Sequence, residues 1–162
     1  MVTMTKESIT LKSVKVFVGM SEETTAFTAT LYINGKKAAH VKNDGRGGDN
    51  YPRFLDRELE TEFHEFCKSL PSTYLYDDDD PTKVMGGPYE KNYDSFIGDL
   101  LDEWMDNDQW KKTCRKGLVF LLKDGPVGEY RITNGKYSAI LAKQVREKHG
   151  EDLLEIVNER FI

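Results

Sequence analysis

The sequence predicts an α+β fold with a mostly antiparallel sheet: an N-terminal three-stranded meander, C-terminal strands and about three helices. Three observations lead to this class. Apolar residues alternate along the first third of the chain, recur at steps of three and four in the middle, and return to strand-length runs near the end. The resulting order, β-β-β-α-α-β-β-α-β, lacks the regular βαβ alternation of a parallel sheet. A chain of 162 residues is expected to form a single domain, residues 1–162.

The N-terminal meander is predicted over residues 8–42. The alternation in ITLKSVKVFV changes phase between Leu11 and Val14, which indicates a β-bulge. The next strand, TAFTATLYI, alternates cleanly and is followed by Asn34-Gly35. That dipeptide is typical of a type I′ hairpin turn, in which both central residues need a positive φ. The sequence KKAAHV then forms the returning strand.

Two amphipathic helices are predicted in the middle of the chain. The first begins near Pro52, a residue favoured in the first helical turn, and ends at Pro71. Residues 71–91 lack periodicity and are predicted to form a long loop, of a length that is uncommon unless the loop is functional or mobile. The second helix carries an apolar stripe from Tyr93 to Trp104, and DNDQWKKTCRKG adds a turn or a short helix.

The last third returns to strands around one helix. The runs LVFLLK and EYRIT are predicted strands, separated by the turn sequence DGPVG. A helix follows in GKYSAILAKQVREKHG, with a C-terminal stop at His149 and Gly150. Residues 153–158 favour a closing strand because they contain a β-branched pair, and a helix is the alternative there.

Charge is distributed unevenly along this chain, whose formal net charge is −5. Residues 1–42 carry six lysines and three glutamates, a net +3, and residues 111–162 carry eleven basic and seven acidic residues, a net +4. Residues 43–110 carry six basic and eighteen acidic residues, a net −12. The acidic middle argues against binding of duplex nucleic acid and favours a partner protein with a basic surface. The alternative is that these carboxylates are the solvated faces of two helices.

The sequence favours a cytoplasmic location without a membrane segment. Its longest apolar runs, LVFLL and AIL, are too short to span a bilayer, and MVTMTKESIT lacks the apolar region of a secretory signal. Cys67 and Cys114 are the only cysteines, and both lie at helical spacing from apolar residues. Buried free thiols are therefore expected rather than a disulfide.

A glycine-rich segment, VKNDGRGGDNYP, joins the predicted meander to the first helix. Glycine amides before a helix N-terminus can cradle an anion, and an arginine can add donors. The spacing matches no named phosphate-binding motif, and the alternative is a tight corner closed by Asx turns. The candidate ligand-binding residues are Asn43, Asp44, Gly45, Arg46, Gly47 and Gly48.

The predicted 71–91 loop combines tyrosines with a run of aspartates, a composition that suits a protein interface. The candidate partner-binding residues are Tyr74, Tyr76, Asp77, Asp78, Asp79, Asp80 and Tyr89. Calcium binding by the four aspartates is disfavoured, because the spacing of a calcium loop is missing.

Catalytic and metal motifs are absent from the sequence. The three histidines are isolated, and neither a zinc-type spacing nor a nucleophile elbow occurs. The nearest approach to a metal-dependent nuclease is Asp124 with Glu129, where Arg131 occupies the lysine position. We therefore expect no catalytic residue, no metal and no cofactor.

The segments SEETTAFTATLYINGKK and VKNDGRGG resemble a family of small uncharacterised proteins from bacteria, prophages and phages. Those proteins share a SEET-x-x-F-x-A-x-LY-x-NGK hairpin and an NDG-x-GG loop, so the resemblance covers residues 21–48. It implies a cytoplasmic accessory protein of mobile elements that binds host factors, including defence systems. It implies no catalytic residue.

Three functional hypotheses follow from the sequence. The first is non-enzymatic binding to a host protein, with inhibition of a defence factor as one outcome. The alternative is binding of a small nucleotide-type ligand at Asn43–Gly48. The third is a metal-dependent nuclease or another enzyme.

Overall fold

A computed structural model describes residues 3–162 and shows an α+β fold with three α-helices and mostly antiparallel sheets. The predicted class and the predicted order of meander, helices and later strands are confirmed, with three short strands added. The strands are β1 (Ile9–Val16), β2 (Phe27–Ile33), β3 (Lys36–Asn43), β4 (Tyr51–Phe54), β5 (Thr73–Tyr76), β6 (Val84–Tyr89), β7 (Val119–Leu122), β8 (Arg131–Ile132) and β9 (Leu153–Ile156). The helices are α1 (Arg57–Ser69), α2 (Tyr93–Cys114) and α3 (Ala139–His149).

The chain divides into two compact units, the first ending at Asp102 and the second running from Glu103 to Ile162. The boundary lies within α2. Each unit has a buried apolar cluster of its own. The expectation of a single domain stays a prediction.

The first unit is built on a four-stranded antiparallel sheet with the order β1-β2-β3-β4. The predicted bulge is confirmed, because the β1–β2 register shifts between Lys12 and Lys15, and Ser13 has a φ of 53°. The predicted hairpin turn is also confirmed. Asn34 and Gly35 have φ values of 51° and 76°, the left-handed conformation that a type I′ turn requires at both positions.

The core of the first unit lies on one face of this sheet. Alternate residues of β2 are buried, as their period of two predicts. Phe63 and Cys67 of α1 and Ile97 of α2 belong to the same buried cluster. Cys67 is a buried free thiol as predicted, and its burial raises the pKa of the thiol to about 12. Cys114 is also free but only partly buried, and its partial burial raises its pKa.

The predicted start of the first helix at Pro52 is wrong. Pro52 lies in β4, an edge strand of the sheet, where a residue without an N–H is tolerated. The helix begins at Arg57 because Asp56 caps it: the Asp56 carboxylate accepts hydrogen bonds from the N–H groups of Glu58, at 2.8 Å, and Leu59, at 3.4 Å. The prediction that residues 71–91 form a loop without strands is wrong as well, since β5 and β6 pair as an antiparallel hairpin there.

The second unit contains a three-stranded antiparallel sheet with the order β8-β7-β9, and α3 packs on it. The closing strand predicted at residues 153–158 is confirmed as β9, which ends at Ile156. The buried Asn158 ties the unit together: its side-chain oxygen accepts from the Val119 N–H at 2.7 Å, and its amide donates to the carbonyls of Cys114 and Gly117. Across residues 3–162, no helix has the length and apolar character needed to cross a membrane.

Candidate functional site

The predicted partner-binding residues lie in the hairpin formed by β5 and β6, residues 73–89, which we call the arm. The strands of the arm pair chiefly with each other, in a separate two-stranded sheet. All four residues of β5 are exposed, and so are five of the six residues of β6. A two-stranded ribbon of this kind has little stability of its own unless something packs against it.

Both faces of the arm carry large apolar side chains. Tyr74 and Tyr76 share one face, with ring centroids 6.5 Å apart, and Val84 lies opposite Tyr76. Leu75 occupies the other face, together with Tyr89, whose hydroxyl lies over Gly86. About half of each of these side chains is exposed, from 47% for Tyr74 to 58% for Leu75. A sheet that faces a core on one side and water on the other would alternate apolar and polar residues instead.

The four aspartates lie at the turn of the arm and divide into two roles. The Asp77 carboxylate accepts hydrogen bonds from the N–H groups of Asp79 and Asp80, and it lies 3.6 Å from the Lys83 ammonium. The Asp80 carboxylate accepts from the Thr82 hydroxyl and N–H, and the hydroxyl bond is the main cause that lowers the pKa of Asp80. Asp77 and Asp80 therefore shape the turn, while Asp78 and Asp79 present exposed negative charge.

The arm contains apolar residues that the sequence reasoning did not select: Leu75, Val84 and Met85, each between 52% and 58% exposed. The threonine and the aromatic residues of Thr73–Tyr76 were the available signal, but a run of four residues is too short to separate a strand from a loop. The shifts in the β5–β6 register blur the pattern further.

The glycine-rich segment forms a corner in which three successive backbone amides donate to nearby side-chain oxygens. The Gly45 N–H donates to the Asn43 side chain at 2.8 Å, the Arg46 N–H donates to Asp44 at 3.2 Å, and the Gly47 N–H donates to the Thr24 hydroxyl at 3.3 Å. The bonds to Asn43 and Asp44 are the Asx turns of the corner interpretation, and the bond to Thr24 comes from outside the segment. An anion bound here would have to compete with these side-chain oxygens for the amides.

Gly45 has a structural role at this corner. Its carbonyl accepts hydrogen bonds from the N–H groups of Glu22, Glu23 and Thr24, so the SEET segment wraps around it. Its φ is 84°, and a Cβ at this position would fall on the Met20 carbonyl oxygen. A residue with a side chain would therefore be both strained and obstructed here.

The corner also contacts the start of α2, across a cleft of about 300 Å³. The Asn50 N–H donates to the Asp94 carboxylate at 2.8 Å, and the Tyr93 hydroxyl donates to Asp49 at 2.6 Å. The hydrogen bond to Asp49, with burial and the charges of Asp49 and Asp94, raises the pKa of Tyr93 to about 12. Of the predicted ligand-binding residues, Asn43, Gly47 and Gly48 line this cleft.

The residues of the nuclease hypothesis lie together in the second unit. Asp124, Glu129 and Arg131 line a cleft of about 280 Å³, with Asp152 beside them. Among residues 3–162, however, no group of three or more histidine, cysteine, aspartate or glutamate side chains is arranged to hold a metal ion.

Comparison of the chain with protein-family models, with curated proteins and with solved structures finds no match to any of them.

Proposed function

We propose that this chain is a non-enzymatic protein-binding module, and that the arm is the surface that docks onto its partner. One observation carries the proposal: a two-stranded ribbon exposes large apolar side chains on both of its faces. Contiguous exposed apolar surface of this kind marks interaction sites in soluble proteins. Tyrosine and methionine, which the arm provides, are enriched in protein interfaces.

The energetics favour an insertion of the arm into an apolar groove. Full burial of a large apolar side chain contributes about 1.5–3 kcal/mol, and the arm's apolar side chains are about half exposed. Each therefore has roughly 1 kcal/mol of burial still to gain when a partner covers it. Tyrosines provide this contact area at a low cost in side-chain entropy.

The turn of the arm indicates the charge of the partner. Asp78 and Asp79 are exposed at the tip, so a basic rim around the groove would complement them. We propose that the partner is a host protein with such a basic surface. The resemblance of residues 21–48 to phage and prophage proteins adds a bacterial defence factor as the class of partner to try first, with inhibition by occlusion as the outcome.

A matched pair of leucine substitutions tests the arm. Leu75 in the arm and Leu55, between β4 and α1, are both exposed, at 58% and 79%. Affinity-tagged wild-type protein, Leu75→Ser and Leu55→Ser are each used to capture partners from a bacterial lysate, after their melting temperatures have been compared. We expect a stoichiometric partner that Leu75→Ser loses and Leu55→Ser keeps.

Two results would overturn the proposal. The first is equal capture by the wild type and Leu75→Ser, which would place the binding surface elsewhere. The second is self-association of the purified protein, measured by light scattering and abolished by Leu75→Ser, because the arm would then bind a second copy of this chain.

A further inference from the structure

The outward face of the four-stranded sheet, opposite the core, gathers side chains that are scattered in the sequence. Antiparallel partners project to the same side of a sheet. The outward pairs are Lys12 with Thr30, Lys15 with Thr28, Tyr32 with Lys37, Thr28 with Lys42, and His40 with Arg53. We call this surface the basic face.

The bulge in β1 contributes directly to the basic face. Lys12 and Lys15 are three residues apart, so an uninterrupted strand would send them to opposite sides of the sheet. The register shift between them restores both to the outward side, opposite Thr30 and Thr28. The bulge therefore adds one cation to the basic face.

The charge of the basic face is opposite to that of the whole chain. It carries five fixed cations, Lys12, Lys15, Lys37, Lys42 and Arg53, and the outward positions of the four strands include no carboxylate. All five are exposed, and no ion pair joins any of them to a carboxylate of residues 3–162. The net charge of the chain is nevertheless −5. A local positive field of this kind attracts a polyanion.

Two tyrosine rings lie among these cations. Tyr32 is central, in β2, and the Lys12 ammonium lies 4.6 Å from its ring centroid. Tyr51 lies on the edge strand β4, paired with Lys42, and is 61% exposed. Cationic surfaces that include aromatic rings bind single-stranded nucleic acid, because the cations contact the phosphates and the unpaired bases stack on the rings.

The remaining side chains argue against an acidic protein as the ligand. Apart from the two tyrosines, the outward positions of the sheet hold threonine, lysine, histidine and arginine, with no aliphatic side chain. Protein interfaces have an apolar core and are depleted in lysine. A face that offers cations and aromatic rings, but no aliphatic side chain, therefore fits a nucleic acid better than an acidic protein.

We propose that the basic face is a binding surface for single-stranded nucleic acid, with sequence-independent contacts to phosphates through the five cations and base stacking on Tyr51 and Tyr32. The surface is separate from the arm, so the two proposals can fail independently. Duplex nucleic acid remains disfavoured, because its bases are already stacked and closed to the tyrosine rings.

Fluorescence anisotropy of a labelled single strand of about 20 nucleotides tests the proposal. Binding is measured between about 50 mM and about 200 mM salt, with a duplex of equal length and polyglutamate as competitors. We expect binding whose logarithmic salt dependence has a slope of about −0.7 for each phosphate contacted. Neither the duplex nor polyglutamate should compete at concentrations where the unlabelled single strand does.

Two neighbouring lysines give a matched control for placement. Lys37 pairs with the outward Tyr32, whereas Lys36 pairs with the buried Ile33 and so lies on the other side of the sheet; both lysines are exposed. Lys37→Gln should weaken binding several-fold and make the salt slope shallower by about 0.7, while Lys36→Gln should leave the slope unchanged. Tyr51→Ser should weaken binding about tenfold or more without changing the slope, because stacking carries no counterion release.

Several results would overturn the proposal. Absence of binding at about 50 mM salt would show that the basic face does not bind single-stranded nucleic acid. Equal effects of Lys36→Gln and Lys37→Gln would show that binding depends on the net charge of the protein and not on the basic face. Equal competition by the duplex would remove the single-strand preference, and equal competition by polyglutamate would assign the face to acidic polypeptides. All three variants change exposed side chains, and their melting temperatures verify that they fold.

Discussion

At the residue scale, each unit contains one buried asparagine whose side chain bridges backbone and side-chain groups from different segments of the chain. Asn43, 6% exposed, uses its full capacity: its oxygen accepts from Thr24 and Gly45, and its amide donates to Gly48 and Asn50. Asn158 has the equivalent role in the second unit. The corner interpretation predicts the Asx turn at Asn43, but the sequence does not indicate that Asn43 or Asn158 is buried, because a buried and a solvated asparagine have the same local sequence pattern.

The hydroxyl of Tyr93 supplies a prediction about pH. Its pKa is raised from 10.0 to about 12, above the value in the unfolded chain, so the folded state favours the neutral tyrosine. This contribution to stability is complete below pH 10 and is lost as the pH rises towards 12. We expect a tyrosine step near pH 12 in the absorbance titration of the native protein, and no such step in Tyr93→Phe.

Asp49 is the control for this step, because it accepts the hydrogen bond and carries the charge that opposes ionisation of Tyr93. In Asp49→Asn the same step should move down towards pH 10, since the amide bears no charge. A late step that is unchanged in Asp49→Asn would show that the Tyr93 hydroxyl does not donate a hydrogen bond to Asp49.

At the element scale, the sequence predicted the strands marked by alternation or by a continuous apolar run, and it missed the short strands β4, β5 and β6. The meander was found because β2 alternates over seven residues and Asn34-Gly35 ends it. The arm was assigned to a loop because β5 has four residues and Gly86, Gly87 and Pro88 interrupt β6. The candidate partner-binding tyrosines and aspartates could still be selected there from composition, whereas Leu75, Val84 and Met85 require the strand register.

The start of α1 gives a prediction that separates the two interpretations of this helix. If the helix began at Pro52, Asp56 would lie inside it, and Asp56→Ala would be neutral or stabilising. Because Asp56 is the N-cap, we expect Asp56→Ala to lower the free energy of unfolding by about 1 kcal/mol, measured in urea. Asp56→Asn keeps an acceptor for the Glu58 N–H and should lose only a fraction of that.

At the scale of the whole molecule, the distribution of charge along the sequence differs from the distribution of charge over the surface. The sequence places a net −12 in residues 43–110, which suggests an acidic exterior. Arg53, however, comes from that acidic segment and joins four lysines of the first 42 residues on the basic face. Charge counted along a chain cannot separate the two faces of a sheet, because alternate residues point in opposite directions.

Native-state hydrogen exchange tests whether the arm is less stable than the four-stranded sheet. β2 is paired on both sides and alternates buried residues, so its amides should exchange with solvent only by global unfolding. β5 and β6 pair chiefly with each other and contribute no residue to either buried cluster. We expect their opening free energies to lie below about 2 kcal/mol in native-state hydrogen exchange.

Arm amides protected as strongly as those of β2 would mean that the arm is covered in the isolated protein. Repeating the measurement at lower protein concentration then distinguishes a second copy, whose protection falls on dilution, from contact within one chain, whose protection does not.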